Sequence, residues 1–96
     1  MKKRFRFTEH PEKDKVMWCK TEEEAEEFCR ILSENGRTWA MGKSYYGRTN
    51  WENFRNYTCY YFNKGTIGNI HDVEDWDMVM EFSDYDWKHS MPFLRY

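Results

Sequence analysis

Aliphatic side chains are scarce in this chain. Its 96 residues include two leucines (Leu32, Leu94), three isoleucines and three valines. Low aliphatic content beside 33% charged residues is a composition that disordered chains share. A run of about 18 apolar residues is also missing, which excludes a helical membrane span. The start, Met-Lys-Lys-Arg-Phe-Arg-Phe, has the basic opening of a signal peptide with no apolar stretch behind it, so the expected location is the cytoplasm. Cys19, Cys29 and Cys59 form no C-x-x-C and cannot all pair, and they are expected as reduced thiols packed like small hydrophobes.

Catalytic and ligand motifs are equally thin. Gly42-Lys43-Ser44 resembles the end of a phosphate-binding loop, but the required first glycine position holds Arg37, and no helix opens at Lys43. His10, His71 and His89 are scattered, without the short spacing of a metal pair. Asp75-x-Asp77 and Asp84-x-Asp86 lack the glycine and terminal glutamate of a calcium loop. Ser83, in Phe-Ser-Asp, lacks the flanking glycines of a nucleophile elbow. No metal, cofactor or enzymatic activity is expected.

What is abundant is aromatic. Five Trp, seven Tyr and seven Phe replace the missing aliphatic volume, each ring burying roughly 150–250 Å² if internal. The length fits one domain over residues 1–96, built on an aromatic core. Thr21-Glu22-Glu23-Glu24 is a capping box, and three glutamates in the first turn complement the helix dipole. Ala25, Phe28, Cys29 and Leu32 fall at i, i+3, i+4 and i+7, and Asn35-Gly36 supplies the stop. A helix over about 21–35 follows.

The remainder reads as β-rich. Alternation at Phe5 and Phe7 and the run Val16–Cys19 predict two strands paired as a hairpin. Thr38–Met41, Thr58–Phe62, Thr66–Ile70 and Met78–Phe82 predict further strands, with a turn at Asn63-Lys64-Gly65. Asn50 is read as starting one helical turn with Trp51 and Phe54 on one side, and Asp72 as capping another through Trp76. The expected architecture is α+β: an antiparallel sheet of four to six strands with the helix on one face.

Charge is segmented. Residues 1–20 carry a net +4, 21–35 a net −5, 36–70 a net +4 and 71–96 a net −5. Two of these blocks are candidate surfaces. Arg37, Trp39, Lys43, Tyr45, Tyr46, Arg48, Trp51 and Arg55 interleave cations with rings, the composition of a site that stacks bases and pairs phosphates. The plainer reading puts Trp39 and Trp51 in the core. The negative chain, of isoelectric point 5.9, argues against binding a polynucleotide, whereas a small nucleotide needs less positive surface. The second block is Asp72, Glu74, Asp75, Asp77, Glu81, Asp84 and Asp86, with no Lys or Arg among them. Seven carboxylates repel by some tenths of a kcal/mol per exposed pair at ~10 Å, and together they imitate a phosphate array for a basic protein surface. The plainer reading is a solvated edge that discourages strand aggregation. Behind them Trp87, Met91, Phe93, Leu94 and Tyr96 form an apolar tail broken by Pro92.

The stretch Thr21-Glu-Glu-Glu-Ala-Glu-Glu-Phe, then Asn35-Gly36-Arg37-Thr38-Trp39, Gly42-Lys43-Ser44-Tyr45, Trp51, Thr58 to Thr66 and Glu81-Phe82-Ser83-Asp84-Tyr85 resembles small proteins encoded by phages and prophages of Gram-positive bacteria. The likeness covers about residues 16–86 and brings no catalytic residues with it. It implies an accessory protein, of a kind that includes inhibitors of host defence such as anti-CRISPR proteins occupying the nucleic-acid groove of a Cas nuclease. The partner expected on that basis is a host defence effector, met through the acidic block. Two other readings stay open: a non-catalytic module that sequesters a small nucleotide in the 37–55 loop, and a structural or regulatory protein that binds another phage protein.

Overall fold

The computed structural model describes residues 3–87. The apolar tail after Trp87 lies outside them. Thr21 opens α1 (Glu22–Glu34), its hydroxyl accepting from the Glu24 N–H at 3.1 Å. Glu24 completes a capping box shifted by one residue, its carboxylate accepting from the Lys20 N–H at 2.9 Å. At the other end Gly36 takes a left-handed φ of +77°. There the Arg37 N–H donates to Leu32 O at 2.9 Å and the Gly36 N–H to Ser33 O at 3.0 Å, the paired bonds that close a helix C-terminus. Ala25, Phe28, Cys29 and Leu32 are buried as their spacing predicts, and Ile31 joins them.

Four strands form one sheet: β1 (Val16–Trp18), β2 (Thr58–Tyr61), β3 (Thr66–Asn69) and β4 (Val79–Glu81), in the order β3-β2-β1-β4. The α+β class holds, but the sheet is mixed. β2 runs antiparallel to β1 and β3, while β4 runs parallel to β1 with Met17 opposite Met80. By period-two alternation Met17, Tyr60, Ile67 and Met80 face α1, and Val16, Trp18, Cys59, Tyr61 and Val79 face the other way. The main core fills the α1 side, where Phe28 sits among Phe5, Tyr60, Phe62, Phe82 and Trp87. A smaller cluster of Val16, Cys59, Ile70 and Val73 lies on the opposite face.

The N-terminal hairpin is not formed. Lys3 makes an isolated bridge to Tyr85, Phe7–Glu9 is a 3-10 turn, and β1 takes its neighbours from β2 and β4. Phe5 and Phe7 do not alternate between faces: their rings pack edge to face at 4.8 Å, and both meet Phe62. A side-chain clamp holds this segment down. Asn63 Nδ2 donates to the carbonyls of His10 at 2.6 Å and Glu12 at 2.7 Å, and its Oδ1 accepts from Arg37 at 2.7 Å. The predicted strand at 38–41 is likewise reduced to one bridge, Thr38 to Ser44, because the chain turns at once through Gly42 at φ +91°. The other strands stop a residue or two short of their predicted limits. The turn at Asn50 is a 3-10 turn, Trp51–Asn53, with Asn50 left-handed and Thr49 Oγ1 accepting from the Trp51 N–H at 3.3 Å.

His10 supplies a pH dependence. Its ring stacks on Phe5 at 5.1 Å, and burial followed by nearby Lys15 hold its pKa below the ordinary 6.5. On acidification the unfolded chain therefore takes up this proton first, and stability falls as pH drops from about 6.5 towards the lower folded value. Denaturation midpoints followed from pH 7.5 to 5 should decline, and His10→Gln should remove this residue's share of the slope. An unchanged slope in the variant would refute the assignment.

Candidate interaction surface

Topology decides where the acidic block lies. Both β3 and β1 oppose β2, so β3 and β4 run parallel to each other at opposite edges of the sheet. Their connection, residues 70–78, must cross the whole sheet, and the packing of Ile70 and Val73 on Val16 and Cys59 shows that it crosses the face away from α1. This strap consists of two 3-10 turns instead of the single capped turn expected from Asp72. Asn69 Oδ1 accepts from the His71 N–H at 2.8 Å to open Ile70–Asp72, and Asp75 Oδ1 accepts from the Asp77 N–H at 3.0 Å to open Trp76–Met78.

Asp72, Glu74, Asp75 and Asp77 are all exposed on the strap, and none makes a salt bridge among the described residues. Two lysines that reach rings of this face are paired with other carboxylates. Lys20 pairs with Glu81 at 2.7 Å and covers the Trp18 ring at 4.7 Å, while Lys64 pairs with Asp14 at 3.2 Å and lies 5.4 Å from the Tyr61 ring centroid. Of the seven predicted carboxylates, four therefore stand together on the strap. Glu81 lies beside them on β4 and is neutralised by Lys20. Asp84 and Asp86 fall past β4, where the backbone of Lys3 meets theirs: Lys3 N–H to Asp84 O at 3.4 Å, and Asp86 N–H to Lys3 O at 2.7 Å.

Aromatic side chains share the strap's surface. Trp76, 53% exposed, packs edge to face on Trp18 at 6.1 Å. Trp18 is itself fixed by its Nε1 donating to Asn56 O at 2.8 Å. Tyr57, just before β2, and His71, in the strap's first turn, pair with ring centroids 4.6 Å apart. Sequence reasoning missed both ring pairs, Trp18 with Trp76 and Tyr57 with His71. The signal was present in the parity of β1, which puts Trp18 on the side opposite Met17.

The second predicted site is split: Trp39, Lys43, Tyr46 and Arg48 line one open groove, while Tyr45 and Arg37 are taken up elsewhere. Tyr45 is fully buried against Trp39, and the indole Nε1 of Trp39 donates to Arg48 O at 3.0 Å. Burial pushes the Tyr45 hydroxyl up to about 12. Arg37 donates to Phe62 O and Asn63 Oδ1 and lies 4.2 Å over the Phe7 ring, so its cation belongs to the N-terminal clamp. Trp51 is half-buried against the main core. Lys43, Tyr46, Arg48 and Arg55 remain exposed; the first three share a groove lining with the edge of Trp39, whereas Tyr45 offers no stacking surface. Arg55 instead occupies a left-handed turn at φ +51°.

The three thiols are buried. Desolvation raises Cys29 and Cys59 to about 12 and Cys19 well above its ordinary value, which keeps them protonated at neutral pH. Among the described residues no three His, Cys, Asp or Glu side chains converge as metal ligands, and no helix is long and apolar enough to cross a membrane. No family model, curated protein or solved structure matches this chain.

Proposed function

We propose that the protein is a non-catalytic inhibitor of the phage accessory type, which binds a basic, nucleic-acid-binding surface of a host defence effector through the strap. The observation that carries this reading is the set of four exposed carboxylates, Asp72, Glu74, Asp75 and Asp77, without cationic partners among the described residues, beside the exposed ring of Trp76. A carboxylate held in an internal ion pair would have to exchange that partner for the target's cation. Carboxylates already free in the unbound protein approach a partner's arginines and lysines with no internal ion pair to break. Their common sign speeds encounter, and Trp76 supplies the apolar contact that outlasts it.

The test is a target-cleavage assay with Cas nucleases of Gram-positive hosts, titrated with wild type and with the variant Asp72→Asn, Glu74→Gln, Asp75→Asn, Asp77→Asn. Asparagine at 75 can still accept the Asp77 N–H, so the turn is preserved. Wild type should inhibit, the neutralised variant should need about tenfold more protein or greater, and Trp76→Ala should cost ~2 kcal/mol of binding. Equal potency of the neutralised variant would refute the strap as the contact surface.

A further inference from the structure

On the α1 side of the sheet, away from the strap, an open groove of about 1480 Å³ runs between α1 and the 39–52 loop, with β3 along it. It is larger and more open than the enclosed clefts of roughly 300–1,000 Å³ that bury small molecules. Its loop wall carries an apolar strip among polar side chains. Trp39 and Ile67 line it, and so do Met41 and Tyr46, which are 77% and 69% exposed. Its helix wall carries Glu22, Glu23, Glu26 and Glu27, and Glu52 stands across from them on the loop. The cation on that helix wall is occupied: Arg30 pairs with Glu27 and with Glu34. Lys43 and Arg48 on the loop leave the lining net negative.

The groove also meets an unpaired backbone. β3 is an edge strand, hydrogen-bonded to β2 on one side and to no other strand among the described residues. The 38–44 loop reaches it at one point, where the Ala40 N–H donates to Gly65 O at 2.9 Å just before the strand begins. That bond directs the Gly65 carbonyl away from β2. By strand alternation the N–H and C=O of Ile67 face the same way. A free sheet edge beside an apolar strip, under an acidic rim, has the parts needed for strand addition: main-chain bonds for affinity and side-chain pockets for selection. The acidic rim selects for cations.

We infer that this groove binds a basic, extended peptide segment of a partner protein, laid along the outer edge of β3 with alternate cationic side chains towards Glu22, Glu23 and Glu26. The first nine residues of α1 span ~13 Å, which accommodates about four extended residues. The inference is independent of the strap, which lies on the other face.

The experiment uses a fluorescein-labelled heptapeptide alternating Lys with Val, an equivalent alternating Glu with Val, and short polylysine. Anisotropy and amide shifts of the 15N-labelled full chain are followed. The Lys/Val peptide should bind, moving amides in 65–69 and in the first half of α1 while leaving 72–77 unmoved. The double variant Glu23→Lys, Glu26→Lys should weaken it about tenfold or more, and the strap-neutralised variant should bind it as wild type does. Three results would overturn the inference: no saturable binding, equal affinity for polylysine or the Glu/Val peptide, or shifts centred on the strap. The mapping on wild type stands even if the charge-reversed variant fails to fold.

Discussion

Phe28→Ala should lower stability by about 3–5 kcal/mol, the cost of removing a fully buried phenylalanine. Phe28 is completely enclosed, and its ring lies within 5.6–6.5 Å of five others: Phe5, Tyr60, Phe62, Phe82 and Trp87. Those rings come from the N-terminal segment, β2 and its end, and the stretch after β4, so the cavity would touch every part of the main layer. Rigid rings refill a void poorly, which favours the upper end of the range. A domain this size has about 5–15 kcal/mol in total, and each kcal/mol lost lowers Tm by about 4–8 °C. Thermal and urea denaturation should show a large fall, with Phe28→Leu losing less. A change within ~0.5 kcal/mol, as at an ordinary surface site, would mean that the aromatic layer is not built around this ring.

Gly65→Ala is the second large effect, and it comes from the backbone. Gly65 sits at φ +78°, and a Cβ there would meet Ala40 N at 2.5 Å, Thr38 O at 2.9 Å and Trp39 C at 3.0 Å. All three are main-chain atoms, so no side chain can rotate away. The left-handed conformation alone costs about 1–2 kcal/mol, and the forced separation adds ~1–3 kcal/mol by analogy with an overpacked core. Gly36 is the internal control: its φ is +77° with nothing within 4 Å of the built Cβ. Gly36→Ala should therefore show the conformational cost without the steric one. If the two variants lose the same stability, the 38–44 loop is not seated on Gly65. If Gly65→Ala loses more, amides of 38–44 should shift with it, and the groove wall formed by Trp39 and Met41 should loosen.

What could be read from the sequence was what local chemistry decides. The helix was legible because its cap, apolar stripe and glycine stop all lie within sixteen residues and act through neighbouring backbone groups. The turn at 63–65 and the three later strands were legible for the same reason. What escaped was set at long range. Phe5 and Phe7 alternate like a strand, but their rings join one cluster because Asn63, some fifty residues on, holds the intervening backbone at His10 and Glu12. The parallel pairing of β4 with β1 follows from the strap crossing the sheet, and no local signal encodes that route. The mixture of cations and rings at 37–55 carries no information on which side faces inward. Trp39 and Tyr45 went to the core, and Arg37 to the clamp, because the volume left by few aliphatic residues had to be filled. The acidic segment was legible as a block. Its split into a strap group, a Lys20-paired Glu81 and two residues beside Lys3 was not.

The same economy leaves most of the strap's outer side exposed. Its inner side contributes two buried residues, Ile70 and Val73, to a four-residue cluster. Trp76 and His71 pack on Trp18 and Tyr57, and the four carboxylates between and beside them stay exposed.

The most direct test is the dependence of complex formation on ionic strength. Kd for the protein and a Cas effector should be measured from about 50 to 500 mM salt, where the screening length falls from roughly 14 to 4 Å. Affinity should decline steeply for wild type, and the slope should flatten when Asp72, Glu74, Asp75 and Asp77 are neutralised together. A complex that ignores salt, or whose slope is the same with and without those four charges, would contradict the account.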